Sequence, residues 1–172
     1  MFKRVRCVSA VVGVLLAFGA SGDLAAQVSI GGGVHYLRNL GDITNDGALD
    51  LSQNSIAVQL SVRRSFGLLS VDGQTGYIFN YLGTDESAWE PALWGLLGSV
   101  IYGGAGIGWQ RSNGEWSDKP FYALRAGFDL PLGGLELDAY GSWRFQGSDD
   151  FEGLTGEDLD SLTFAALLRF VL

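Results

Sequence analysis

The sequence predicts an all-β chain, an eight-stranded antiparallel up-and-down transmembrane β-barrel. Three observations carry this. Runs of about ten residues alternate apolar and polar side chains with period two. The connections between those runs alternate long and short. After residue 26 no apolar run is long enough for a helix to cross a bilayer, so any crossing must be made by strands closed into a barrel.

Residues 1–26 precede the barrel and read as a signal peptide. Lys3, Arg4 and Arg6 stand ahead of a mostly apolar run over 8–20, and Leu24-Ala25-Ala26 supplies small residues for cleavage. The apolar run is too short to span a membrane. Cys7, the single cysteine, falls inside this segment, so the domain over 27–172 carries no thiol and no disulfide framework. That domain holds 8 basic and 18 acidic residues, a formal charge of −10, which argues against nucleic acid as a partner.

The strands follow in order. In 28–37, Val28, Ile30, Val34 and Tyr36 oppose Ser29, Gly31, Gly33 and His35. In 55–64, Ile56, Val58, Leu60 and Val62 oppose Ser55, Ala57, Gln59, Ser61 and Arg63. In 69–81, Leu69, Val71, Tyr77, Phe79 and Tyr81 oppose Ser70, Asp72, Gln74 and Asn80. The fourth run, 89–98, is apolar on both faces and has the weakest pattern. A fifth covers 99–110, where Gly104, Gly106 and Gly108 share the inner face and leave room for large neighbours. The sixth is 121–130. The seventh, 135–145, sets Leu135, Leu137, Ala139, Gly141, Trp143 and Phe145 against Glu136, Asp138, Tyr140, Ser142 and Arg144. In the eighth, 161–172, Leu162, Phe164, Ala166, Leu168, Phe170 and Leu172 share one face.

Between them, 38–54, 82–88, 111–120 and 146–160 are longer and polar, while 65–67, the turn near Gly98-Ser99 and 131–134 are short. Four long and three short connections make a meander with both ends of the domain on one side.

The distribution of charge says which face is wet. The polar strand faces carry four acids (Asp72, Asp129, Glu136, Asp138) and four bases (Arg63, Arg125, Arg144, Arg169). They balance. The long connections carry 13 acids against Arg38, Arg111 and Lys119. A surface in bulk water tolerates net charge, whereas charges in a narrow interior must be paired. The eight strand charges are therefore expected to form an enclosed ion network. That all four bases are Arg fits, because the guanidinium fork suits confined carboxylates. Arg64 and Glu90 fall outside this sorting, near strand ends. On the other face Tyr36, Tyr77, Phe79, Tyr81, Trp109, Tyr122, Trp143 and Phe145 cluster toward strand ends, as in an interfacial girdle. The opposite reading, a soluble lipocalin-like barrel with an apolar cavity, would have to fill a small interior with nearly all of these rings.

YGGAGIGWQ (102–110), ALRAGFDLPLGGLELDAYGSWRF (123–145) and LTFAALLRF (162–170) resemble the small outer-membrane β-barrels of the opacity-protein and outer-membrane protein A type. The resemblance covers roughly 99–172, and 27–98 by strand pattern. It implies a Gram-negative outer-membrane location with the long connections extracellular, and insertion by an assembly machinery that reads the last strand. Members usually end in an aromatic residue; this chain ends Phe170-Val171-Leu172.

Little in the sequence points to catalysis, a cofactor or a metal. His35 is the sole histidine, expected as an interior hydrogen-bonding residue, and no spacing pairs a nucleophile with a base. DITNDG (42–47) has calcium-loop offsets at Asp42, Thr44, Asp46 and Asp50, but Gln53 stands where a bidentate Glu is needed. GGAGIG (103–108) has dinucleotide-like glycine spacing and reads as strand. The expected protein is a monomeric barrel without enzymatic activity, its interior plugged by ion pairs. Its expected role is structural or surface-interacting: membrane integrity, contact with lipopolysaccharide and other outer-membrane lipid, or adhesion. A narrow channel for small solutes is the alternative.

Overall fold

The computed structural model describes residues 27–38, 55–79, 87–112, 114–145 and 161–172. Eight long strands run through them: β1 (Gln27–Arg38), β2 (Ser55–Phe66), β3 (Leu69–Phe79), β4 (Ala88–Gly98), β5 (Ile101–Gly108), β8 (Phe121–Pro131), β9 (Leu135–Phe145) and β10 (Ser161–Val171). Two short strands, β6 (Arg111–Ser112) and β7 (Glu115–Trp116), form a ribbon within the connection predicted as a long loop over 111–120. Arg111 in that ribbon lies opposite Trp89, so the ribbon continues the sheet beyond the end of β5.

Each long strand pairs antiparallel with its neighbour in the chain, and the sheet closes through β1 and β10, where Ser29 lies opposite Val171 and Tyr36 opposite Phe164. The result is a closed up-and-down barrel, in the predicted order. At one end the hairpins are tight, and the last of them needs left-handed backbone at Gly133 (φ 66°) and Gly134 (φ 86°), a conformation glycine adopts without steric cost. The Leu132 N–H donates to the Leu135 carbonyl at 2.7 Å and closes that turn. The long connections leave the other end. Tyr81, Asn80, the 42–47 motif and the acidic stretch 146–160 lie outside the described residues.

The alternation resolves the wet and dry faces. Leu60 and Ile56 are 66% and 58% exposed, whereas Ala57, Asp72, Asp138 and Arg169 are inaccessible. The apolar face is the outer one. Among the outward positions of the eight long strands whose side chains are described, Arg64 is the one charged residue, set near the tight-turn end with its guanidinium 5.1 Å from the Phe66 ring. A sheet whose outside is hydrocarbon and whose inside is ionic inverts the arrangement of a soluble barrel and matches a membrane-spanning one. Tyr77, Phe79, Trp109 and Tyr122 are exposed at the long-connection end, as the girdle reading expects.

The fourth run, without clear alternation in the sequence, is a regular strand. Ala88, Glu90, Trp94 and Leu96 are buried inside the barrel, and Leu93 and Leu97 face out. Its inward aromatic is accommodated by a glycine on β5. A Cβ on Gly106 would lie 2.5 Å from the Trp94 ring, and one on Gly108 would strike the Phe121 ring. Gly106→Leu is therefore expected to displace Trp94 and to destabilise the barrel by about 1–3 kcal/mol, the range for overpacking. Loss of near-ultraviolet circular dichroism, with a lower urea midpoint in micelles, is the check.

Candidate functional site

The interior is built in two tiers. Nearest the tight turns, β9 and β10 bring Asp138 and Arg169 together, and β2 and β3 place Arg63 opposite Asp72. The Asp138 carboxylate accepts from Arg169 Nη2 at 2.7 Å, from Arg63 Nη2 at 2.8 Å and from the Tyr102 hydroxyl at 2.6 Å. Asp72 accepts from Arg169 Nη2 at 3.0 Å, from Arg125 Nη1 at 3.3 Å and from the Ser61 hydroxyl at 2.6 Å. Asp129 takes the second terminal nitrogen of Arg63 at 2.5 Å. Three Arg thus share three Asp, all of them buried except Asp129, whose side chain is 18% exposed, and a missing partner would leave an uncompensated charge.

Arg125 forms the edge of this cluster toward the long connections. Its guanidinium lies 3.9 Å from the Trp94 ring centre and 3.7 Å from that of Tyr140, a cation held between two aromatic faces. Arg125 Nη2 also donates to Gln74 Oε1, and Gln74 in turn accepts from Gln59 Nε2. Together these side chains block the lumen at mid-height.

The second tier faces the long connections. Arg144 grips Glu90 with both terminal nitrogens, at 2.6 and 2.8 Å, and its guanidinium carbon lies 4.0 Å from the centre of the Phe121 ring. His35 is buried beside them, its Nδ1 3.4 Å from Gln59 Oε1, which bears out its reading as an interior hydrogen-bonding residue.

Of the eight residues expected in one network, Arg63, Asp72, Arg125, Asp129, Asp138 and Arg169 come together. Arg144 does not join them: it lies near the opposite end of β9 and pairs with Glu90. Glu136 also stands apart. It faces inward at the tight-turn rim, opposite Pro131 and Arg169, half-exposed and making no ion pair with the other seven. Alternation assigns a face and not a depth, so a rim carboxylate counts the same as a central one. Glu90 was missed for the converse reason, because the run around it shows no polar face. Charge balance held the clue: an enclosed Arg144 needs an acid at its own level. Arg144→Leu is expected to strand Glu90 and lower the urea midpoint, while the double change with Glu90→Leu recovers most of the loss. A double-mutant cycle of unfolding in micelles measures this coupling.

No protein-family model matches the chain, and no curated protein does. Solved structures do. Neisserial surface protein A (NspA) superposes with a TM-score of 0.56 at 14% identity, over 87% of this chain and 99% of that one. The chain has the fold of the small eight-stranded outer-membrane β-barrels. At 14% identity the likeness to NspA speaks for the fold alone. Ail, the attachment invasion locus protein of Yersinia pestis, also matches, with a TM-score of 0.49 at 17% identity over 86% of this chain and 97% of that one. In its complex with the heparin analogue sucrose octasulfate, Ail gives a TM-score of 0.45 at 16% identity, again over 86% of this chain and 97% of that one.

Proposed function

We propose that the protein is a monomeric outer-membrane barrel with a structural or surface-interacting role and no enzymatic activity, its long connections outside the cell. The observation that carries this is the contrast between the two faces: an outer surface of exposed Leu, Val, Ile and aromatic side chains around a lumen closed by Arg63, Arg125 and Arg169 with their aspartates. A lumen packed with paired charges leaves the exposed connections as the part free to meet partners. Those connections carry 13 acids and three bases, so their partners are divalent cations, with lipopolysaccharide phosphates bridged through them, or basic surfaces. NspA, similar in fold, is by its name a surface protein. Residues 1–26 act as the export signal, and the last strand, β10, is the element the assembly machinery reads. Fractionation of cells expressing the full chain tests the location. The protein is expected in the outer-membrane fraction, with different gel mobility before and after boiling, and without steady conductance in planar bilayers. A soluble periplasmic protein, or steady single-channel currents, would overturn this reading.

A further inference from the structure

The two ends of the barrel present different outer surfaces. At the long-connection end the outward face carries Tyr77, Trp89, Trp109, Tyr122 and Trp143, rings with a polar edge that suit a headgroup boundary. At the tight-turn end, among the described residues, the outward aromatics are Phe66, Phe128 and Phe170, rings without one. Leu69, Leu97, Ile101 and Leu130 are exposed at the strand ends there and carry the apolar belt into the turns. Residues 67–68, 99–100 and 132–134 join the strands. Each of these segments has one large side chain, Leu68, Val100 or Leu132, and each of the three is more than half exposed. The rest are Gly or Ser, and none is charged, against 13 acids and three bases in the long connections.

A membrane barrel ends its apolar band, about 25 Å tall, in an aromatic girdle at each interface. Here the band can be measured from the girdle that is present. Phe79 lies opposite Ile56, and Phe66 is ten residues along from Ile56; Leu132 is likewise ten residues along from Tyr122. At about 3.3 Å per residue and a strand tilt of about 40°, each run covers about 25 Å of height. The far boundary of the hydrocarbon therefore falls at the turns themselves.

Immersing a turn is costly where its backbone has no partner. Two of the three tip carbonyls are taken: Leu68 accepts from the Gly98 N–H at 2.8 Å and Val100 from the Asp129 N–H at 2.8 Å. At the third tip the Leu132 N–H is engaged by the Leu135 carbonyl. Arg64 places a cation beside this rim, where a long side chain reaches lipid phosphate.

We propose that the three tight turns form a lipid-binding crown, with Leu68, Val100 and Leu132 seated among phospholipid acyl chains at the headgroup boundary in place of a second aromatic girdle. The crown continues the lipid-facing belt of the strands, so its occupant is the same lipid and not a soluble partner. The inference rests on the membrane reading proposed above.

Single cysteines test it. Leu68→Cys, Val100→Cys and Leu132→Cys are made in the full chain with Cys7→Ser, labelled with the fluorophore NBD, and reconstituted in phosphatidylcholine vesicles. Leu60→Cys on the mid-belt and Glu115→Cys on the ribbon are the lipid and water references, and heat-modifiable mobility shows that each variant is folded. Lipid brominated near the carbonyl end of its acyl chains is expected to lower the emission of all three tips at least two-fold, while iodide quenches them several-fold less than Glu115→Cys. Tips as open to iodide as Glu115→Cys, with Leu60→Cys shielded, would sink the crown and leave the membrane reading standing. Leu60→Cys open to iodide as well would sink both. Tips shielded from iodide yet untouched by brominated lipid would mean that protein covers them, a second copy of this chain, and would also refute the proposal. Three separate positions keep the test decisive if one variant does not fold.

Discussion

Asp138→Leu is expected to destabilise the barrel by about 3–5 kcal/mol, the range for removing one partner from a buried ionic group. Asp138 is inaccessible and accepts hydrogen bonds from Arg63, Arg169 and Tyr102, so its loss leaves Arg63, Arg169 and Arg125 sharing Asp72 and Asp129. The two side chains, Arg63 and Arg169, are only 4% and 0% exposed, so little hydration replaces the lost carboxylate. Urea unfolding in micelles, followed by gel mobility and tryptophan fluorescence, should show a large fall in midpoint or a failure to fold. Glu136→Leu on the same strand is the control. That carboxylate makes no ion pair with the network and keeps access to solvent at the rim, so its removal should lie within about 0.5 kcal/mol of no effect. A small effect of Asp138→Leu, or equal effects of the two, would contradict the assignment of the cluster.

The second large effect is expected on the outside. Leu60 lies midway along β2 and is 66% exposed, which in an aqueous protein would make it one of the safest places for a charge. In a bilayer the same position is near the midplane, and Leu60→Arg should destabilise the barrel by about 2–4 kcal/mol. Refolding into lipid vesicles, compared with the unaltered protein by reversible denaturant titration, measures it. Arg64, four residues along on the same face, should tolerate exchange with Leu far better, since it sits near the tight-turn rim where a long cationic side chain reaches the headgroups. A neutral Leu60→Arg would mean that the apolar face does not meet lipid.

How far each part of this architecture was legible depended on what lies across from each residue. The second run is a near-ideal case: Ile56 to Val62 face lipid, Ala57 to Arg63 face the lumen, and two different solvents write two different compositions. The fourth run was obscure because its inward positions answer to neighbours instead of solvent. Trp94 faces inward because Arg125 offers a cation for its ring and Gly106 offers the space. Neither reason is local in sequence. The ion network was readable as composition, since an enclosed set of charges must balance, and six of its eight expected members do meet. Its division into two tiers was not readable, because depth along the barrel depends on strand register. That register is fixed by closure, which puts Arg144 at the level of Glu90 and leaves Glu136 at the rim.

The seam between β1 and β10 has a kinetic meaning. Ser29 and Val171 are partners across nearly the whole domain, so the cylinder cannot be completed by any nascent fragment. Every partial chain is an open sheet with two unsatisfied edges, and both edges vanish only when the final strand arrives. Contacts of such sequence separation are the slow ones to form. The chain must therefore be kept from pairing prematurely, with itself or with other copies, until its last eleven-residue strand has been delivered.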